Sequence, residues 1–126
     1  MSASLHHVNW LVYDIVSASQ KFAEFLQQQP QIERLTQRNV VTARFELGNA
    51  WLVLVSPLDP DSFVGKILAS RGEGLFLLSL SGFDSLTDAQ FALMDEDGKR
   101  SGLADWQIWD VSGLSTATSI LQIFSK

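Results

Sequence analysis

Apolar and polar residues alternate or recur along the chain in two similar passes. Leu5-His6-His7-Val8-Asn9-Trp10-Leu11-Val12 has the apolar, β-branched and aromatic content of a strand, and Asp14 follows as a helix cap. Ile15, Ala18, Phe22, Phe25 and Leu26 then recur at helical spacing, which predicts one apolar stripe along a helix that Pro30 ends. Val40–Leu47 and Trp51–Val55 predict two strands joined by the turn Gly48-Asn49. A loop from Pro57 to Pro60 leads to a short helix carrying Phe63, Val64, Ile67 and Leu68, which Arg71-Gly72-Glu73-Gly74 closes.

The second pass begins with the strand Leu75-Phe76-Leu77-Leu78-Ser79-Leu80. Asp84 is placed to cap a helix running to about Leu93, and the glycine-containing polar stretch Asp95–Ala104 predicts a loop or frayed hairpin. Trp106–Val111 and Thr118–Phe124 predict the last two strands, joined around Gly113. His7 and Val53 are 46 positions apart, and Leu77 and Gln122 are 45. Seven positions separate His7 from Asp14, and seven separate Leu77 from Asp84. A unit repeated at a fixed period predicts a pseudo-symmetric α+β fold of two βαβββ-like modules with a cavity between them. The modules span about residues 1–72 and 73–126 of one domain, 1–126, and the second is eroded in its middle.

Composition narrows the function. At 126 residues and 46% hydrophobic content, the chain buries about two thirds of its unfolded surface and needs no staple to fold. The absence of cysteine excludes disulfides, thiolate metal sites and a cysteine nucleophile. A net charge of −5 argues against a nucleic-acid surface. There is no signal-peptide pattern and no apolar run near the roughly 20 residues that cross a bilayer, so a cytoplasmic protein without membrane contact is expected.

Strand alternation assigns the cavity walls. His7, Asn9 and Leu11 share one face; so do Trp51, Val53 and Val55, then Leu75, Leu77 and Ser79, then Ile120, Gln122 and Phe124. His6 is expected on the opposite face, Trp10 against the helices, and at most one of Trp106 and Trp109 toward the cavity. The run Asp95-Glu96-Asp97-Gly98 lacks the spaced ligands of a calcium loop and is read as a solvated turn. His7 is the one candidate for a metal-free general base, but no carboxylate is expected to face it.

Leu5-His6-His7-Val8 with Val12-Tyr13-Asp14 resembles the opening of the vicinal oxygen chelate superfamily. That superfamily includes glyoxalase I, bleomycin-resistance proteins, extradiol dioxygenases and methylmalonyl-CoA epimerases. Ser56-Pro57-Leu58, Ser62-Phe63-Val64-Gly65-Lys66-Ile67-Leu68 and Arg71-Gly72-Glu73-Gly74-Leu75 resemble the connection between the epimerase half-units. The likeness implies two βαβββ modules forming an open, barrel-like mixed sheet around a central pocket, with helices outside. It also implies a divalent metal held by His, Glu or Gln, His and Glu from four strands. Those slots fall at His7, Val53, Leu77 and Gln122. Val53 and Leu77 carry no donor atom, and where the family writes His-His-Ile this chain has Phe76-Leu77-Leu78. Asn9 and Ser79 share the right parity but offer only neutral oxygens.

The expected protein is therefore a metal-free binder of a small, fairly apolar molecule, without cofactor, in a pocket lined by His7, Asn9, Trp51, Val53, Leu77, Ser79 and Gln122. The resemblance keeps two alternatives open. One is a metal-dependent lyase, isomerase or epimerase of the glyoxalase I or methylmalonyl-CoA epimerase type. The other is a structural or regulatory subunit, and a homodimer is expected because the fold pairs its half-units.

Overall fold

The computed structural model describes residues 2–125. Strand β1 (Ser4–Leu11) leads to helix α1 (Ile15–Leu26), then β2 (Gln31–Leu35), β3 (Val40–Glu46), β4 (Trp51–Pro57) and α2 (Phe63–Arg71). The second module runs through β5 (Gly74–Ser81), α3 (Asp88–Phe91), β6 (Arg100–Ser101), β7 (Gln107–Asp110) and β8 (Ile120–Ser125). All eight strands form one mixed sheet in the order β2-β3-β4-β1-β5-β8-β7-β6. Its pseudo-symmetry is explicit. Antiparallel β1 and β5 form the centre, β4 lies parallel to β1, and β8 lies parallel to β5.

Local chemistry sets the helix boundaries. The Asp14 carboxylate accepts from the amides of Val16 and Ser17 at 3.0 and 3.3 Å, satisfying two otherwise free donors of the first turn of α1. Gln27, left-handed at φ 55°, closes that helix before Pro30. Ser62 caps α2 by accepting from the Gly65 amide at 3.1 Å. Gly65 is the tight point of the connection, because an added Cβ would lie 2.5 Å from the Pro60 carbonyl oxygen and 2.6 Å from that of Asp59. Both obstacles are backbone, so Gly65→Ala is expected to destabilise the protein by about 3 kcal/mol, read as a lower urea midpoint at unchanged m-value.

Three apolar clusters hold the sheet. Val12, Ala43, Phe45, Leu52 and Leu54 pack under α1 on the outer face, together with Trp10 and Phe22. Met94, Val111 and Ile123 form the smaller outer cluster of the second module with Phe83, Leu86 and Trp109. The inner face carries the third cluster, which draws on both modules: Leu11, Leu35, Val40, Val53, Val55, Ile67, Leu68, Phe76 and Leu103.

Several sequence expectations need correction. Gln31–Leu35 is a strand that the pattern hides, because it is a mostly polar edge strand of which Leu35 is the one buried residue. Asp84 caps no helix. The short α3 starts later, where Thr87 and Gln90 form a reciprocal capping box. Asp95–Ala104 is, as expected, a loop with a frayed hairpin, the two-residue β6 pairing antiparallel with β7 before a 3-10 turn that begins at Leu103. Two β-bulges also change which residues share a face. One adds His6 to β1 between the pairs Leu5–Leu80 and His7–Ser79. The other adds Phe76 to β5 between Asn9–Leu77 and Trp10–Leu75. Each extra residue reverses the alternation beyond it.

The two ends of the curved sheet meet. Arg38 donates to the Ser101 carbonyl at 3.1 Å, and the Ala104 amide donates to Glu33 at 3.2 Å. Glu33 also pairs with Arg44 at 3.2 Å, and the Arg44 guanidinium lies over the rings of Trp51 and Trp106, 5.4 and 5.9 Å from their centroids. The polar stretch before β7 thus straps one end of the sheet to the other. No helix among the described residues is long and apolar enough to cross a membrane.

Candidate functional site

The inner face of the sheet encloses a cavity of about 490 Å³. Among the expected residues, His7, Asn9, Val53, Leu77 and Gln122 line it, as do Val55 and Ile120. Five expected wall residues do not line it: Leu11 is buried in the inner cluster, Phe124 stacks on His6, and Trp51, Ser79 and Leu75 place as follows. Trp51 packs beside the cavity against Trp106, ring centroids 5.9 Å apart, beneath Arg44. Ser79 lies in register between His7 and Gln122 but is completely buried, outside the cavity lining. Leu75 is half exposed, because the bulge at Phe76 turns it away and brings Phe76 to the cavity with Leu77.

His6 does not stand on the opposite face. Its bulge places it beside His7, with an Nδ1···Nδ1 hydrogen bond of 2.8 Å. It stacks on Phe124 at 3.7 Å and meets Trp106 edge-on at 4.6 Å. Trp106 also lies 4.8 Å from His7 and lines the cavity, whereas Trp109 sits in the outer cluster and donates to the Asp95 carbonyl at 2.8 Å. Burial, reinforced by the neighbouring His6, pushes the His7 imidazole down to about 3, and burial lowers His6 as well. A His7 this resistant to protonation is neutral at physiological pH and weak as a general base, since it holds an abstracted proton poorly.

Three charged residues line the cavity without having been anticipated: Arg38, Arg100 and Asp110. Asp110 lies on β7 with the same parity as Trp106 and Ile108, so the alternation contained that signal. Arg100 Nη2 is 3.1 Å from each Asp110 carboxylate oxygen, and Gln122 Nε2 donates to Asp110 Oδ1 at 3.1 Å. A carboxylate only accepts, so this contact fixes the Gln122 amide with Oε1 directed away from Asp110. That Oε1, Asn9 Oδ1 and Ser79 Oγ are buried without a hydrogen-bond partner among the described residues. Burial and the adjacent Arg100 lower the Arg38 guanidinium, while Asp110 opposes the shift.

A divalent metal does not fit these residues. Two of the four slots, Val53 and Leu77, are aliphatic, and Val53 is buried in the inner cluster. His7 Nδ1 is taken by His6, and the carboxylate nearest Gln122 is engaged by Arg100. No group of three or more His, Cys, Asp or Glu side chains that could hold an ion occurs among the described residues.

The curved eight-stranded mixed sheet, with α1 packed on its outer face and α2 against the inner cluster rather than outside as expected, is the vicinal oxygen chelate fold. Solved structures that share it include methylmalonyl-CoA epimerase from Mycobacterium tuberculosis, with a TM-score of 0.79, 22% identity, and coverage of 95% of this chain and 85% of that one. A Streptomyces coelicolor methylmalonyl-CoA epimerase variant in complex with 2-nitronate-propionyl-CoA gives 0.80 and 20%, covering 96% and 92%. A hypothetical protein from Bacillus halodurans C-125 gives 0.81 and 20%, covering 100% and 96%. At these identities the likeness concerns the fold. No protein-family model and no curated protein matches the chain.

Proposed function

We propose that this protein binds a small, largely apolar molecule in the cavity between its modules, without a metal ion, and that binding rather than turnover is its role. The observation that carries this reading is the pairing of aliphatic Val53 and Leu77 with two cavity-lining acceptors, Asn9 Oδ1 and Gln122 Oε1, that are buried and unpaired among the described residues. A buried acceptor without a donor costs about 1–3 kcal/mol, a cost that a ligand N–H or O–H offsets. The aliphatic walls supply the apolar contact area usual in small-molecule sites. A neutral, proton-resistant His7 speaks for orienting a ligand over acid–base chemistry.

Calorimetric titration with 2-naphthamide, a neutral aromatic carrying an N–H donor, tests this reading. One site per chain is expected in the wild type. Leu77→Trp, which fills the cavity, is expected to weaken binding at least about tenfold, the loss of about 1.4 kcal/mol of contact. Ile120→Phe serves as a second filling variant from a different strand. No saturable heat at millimolar probe, or equal binding in both filled variants, would refute the proposal.

A further inference from the structure

We infer that the ligand of this cavity is an apolar acid whose anionic group sits at Arg38 and Arg100. The inference rests on the small-molecule reading above and adds the charge class of the ligand. Arg38, Arg100 and Asp110 are the charged residues of the lining, so the cavity carries a net positive charge inside a chain whose overall charge is −5. Asp110 is already shared between Arg100 and Gln122. Arg38 has no carboxylate partner among the described residues, and its one hydrogen bond goes to the Ser101 carbonyl. A partly buried guanidinium whose hydrogen-bond acceptor is a neutral carbonyl keeps N–H donors unmatched, and guanidinium geometry suits a carboxylate oxygen pair.

The cavity is graded along its length. Its charged end is partly open to solvent, with the Arg100 and Asp110 side chains 38% and 27% exposed. Its neutral end is at His7, 4% exposed and three strands from Asp110, while Gln122, 2% exposed, lies between them and donates to the Asp110 carboxylate. Leu35, Val40, Val64, Phe76, Leu77 and Leu103 supply aliphatic and aromatic wall around it. A ligand matching this gradient has a carboxylate at one end, an apolar body, and a hydrogen-bond donor that reaches Gln122 Oε1 or Asn9 Oδ1. A cation at the charged end meets two guanidiniums and a carboxylate already paired, so it is disfavoured by like-charge repulsion.

The test compares 2-naphthoate, 2-naphthamide and 2-naphthylmethylammonium by calorimetry at low ionic strength. Naphthoate is expected to bind at least about tenfold tighter than the amide, with the ammonium weakest, and the preference should shrink with added salt. Arg38→Met is expected to bring the naphthoate-to-amide ratio close to one. Asp110→Asn is expected to raise that ratio, because it releases Arg100 and leaves both guanidiniums uncompensated. These two variants move the ratio in opposite directions, which loss of folding would not do. Amide binding with no preference for naphthoate would overturn the acid assignment and leave the small-molecule reading standing. Failure of all three probes would overturn both.

Discussion

The double variant V53E/L77H is expected to bind one zinc ion per chain, whereas the wild type binds none. The two substitutions supply a carboxylate and an imidazole at the aliphatic slots, and both positions line the cavity with His7 and Gln122. Strand register places them well. Val53 and Leu77 flank Asn9 on neighbouring strands, and His7 and Gln122 flank Ser79 one row along. With His7 Nδ1 engaged by His6, Nε2 is the ring nitrogen left for an ion. Without metal, the variant should lose about 3–5 kcal/mol, because an ionisable group replaces a valine that is 1% exposed. At zinc a hundredfold above its dissociation constant, about 2.7 kcal/mol should return, a rise of roughly 10 °C in Tm. The wild type should shift by less than about 1 °C, corresponding to no specific binding. Cobalt titration monitored by visible absorption provides an independent count of ions. Equal stabilisation of the wild type by zinc would locate metal donors outside the four slots. No binding by the variant would mean that the slots do not converge.

The sequence announced the scaffold more fully than the site, for physical reasons visible in single residues. Asp14 and Gly48-Asn49 act through neighbours in the chain, so a cap and a turn are legible from local spacing. The repeat carries through to the structure as the parallel pairs β1–β4 and β5–β8. Alternation located His7, Asn9, Val53 and Gln122 because no bulge intervenes between those positions and the strand segments that set their face. It misplaced His6 and Leu75 because one inserted residue in a ladder leaves no mark in hydropathy. Arg38 and Arg100 lie in stretches that read as polar turns. They become cavity residues only because the strap joins the sheet edges, through contacts such as Arg38–Ser101 that span 63 positions. Asp110 shares its parity with Trp106 and Ile108, so alternation does carry its place in the lining.

Lowering the pH from 7.5 to 5 is expected to destabilise the wild type by about 2 kcal/mol through His7 alone. In the folded protein burial holds its imidazole at about 3, against 6.5 when unfolded. Between those two values the unfolded chain binds a proton that the folded chain refuses. Stability therefore rises with pH through this window and is fully retained above about 6.5. Each pH unit below 6.5 removes about 1.4 kcal/mol until the folded imidazole itself titrates. The hydrogen bond to His6 sharpens the effect. His6, less buried, takes the first proton and still donates from Nδ1, whereas protonating His7 as well sets one N–H against another. His7→Gln keeps a neutral acceptor beside His6 and removes the titrating group, so its urea stability should lose about 2 kcal/mol less over the same interval. The comparison isolates His7, because His6 and every carboxylate remain in both proteins. Parallel stability–pH profiles for the wild type and His7→Gln would mean that His7 protonates freely in the folded state. His7 would then be available for proton transfer in the cavity, and the case for binding without turnover would lose its support from this residue.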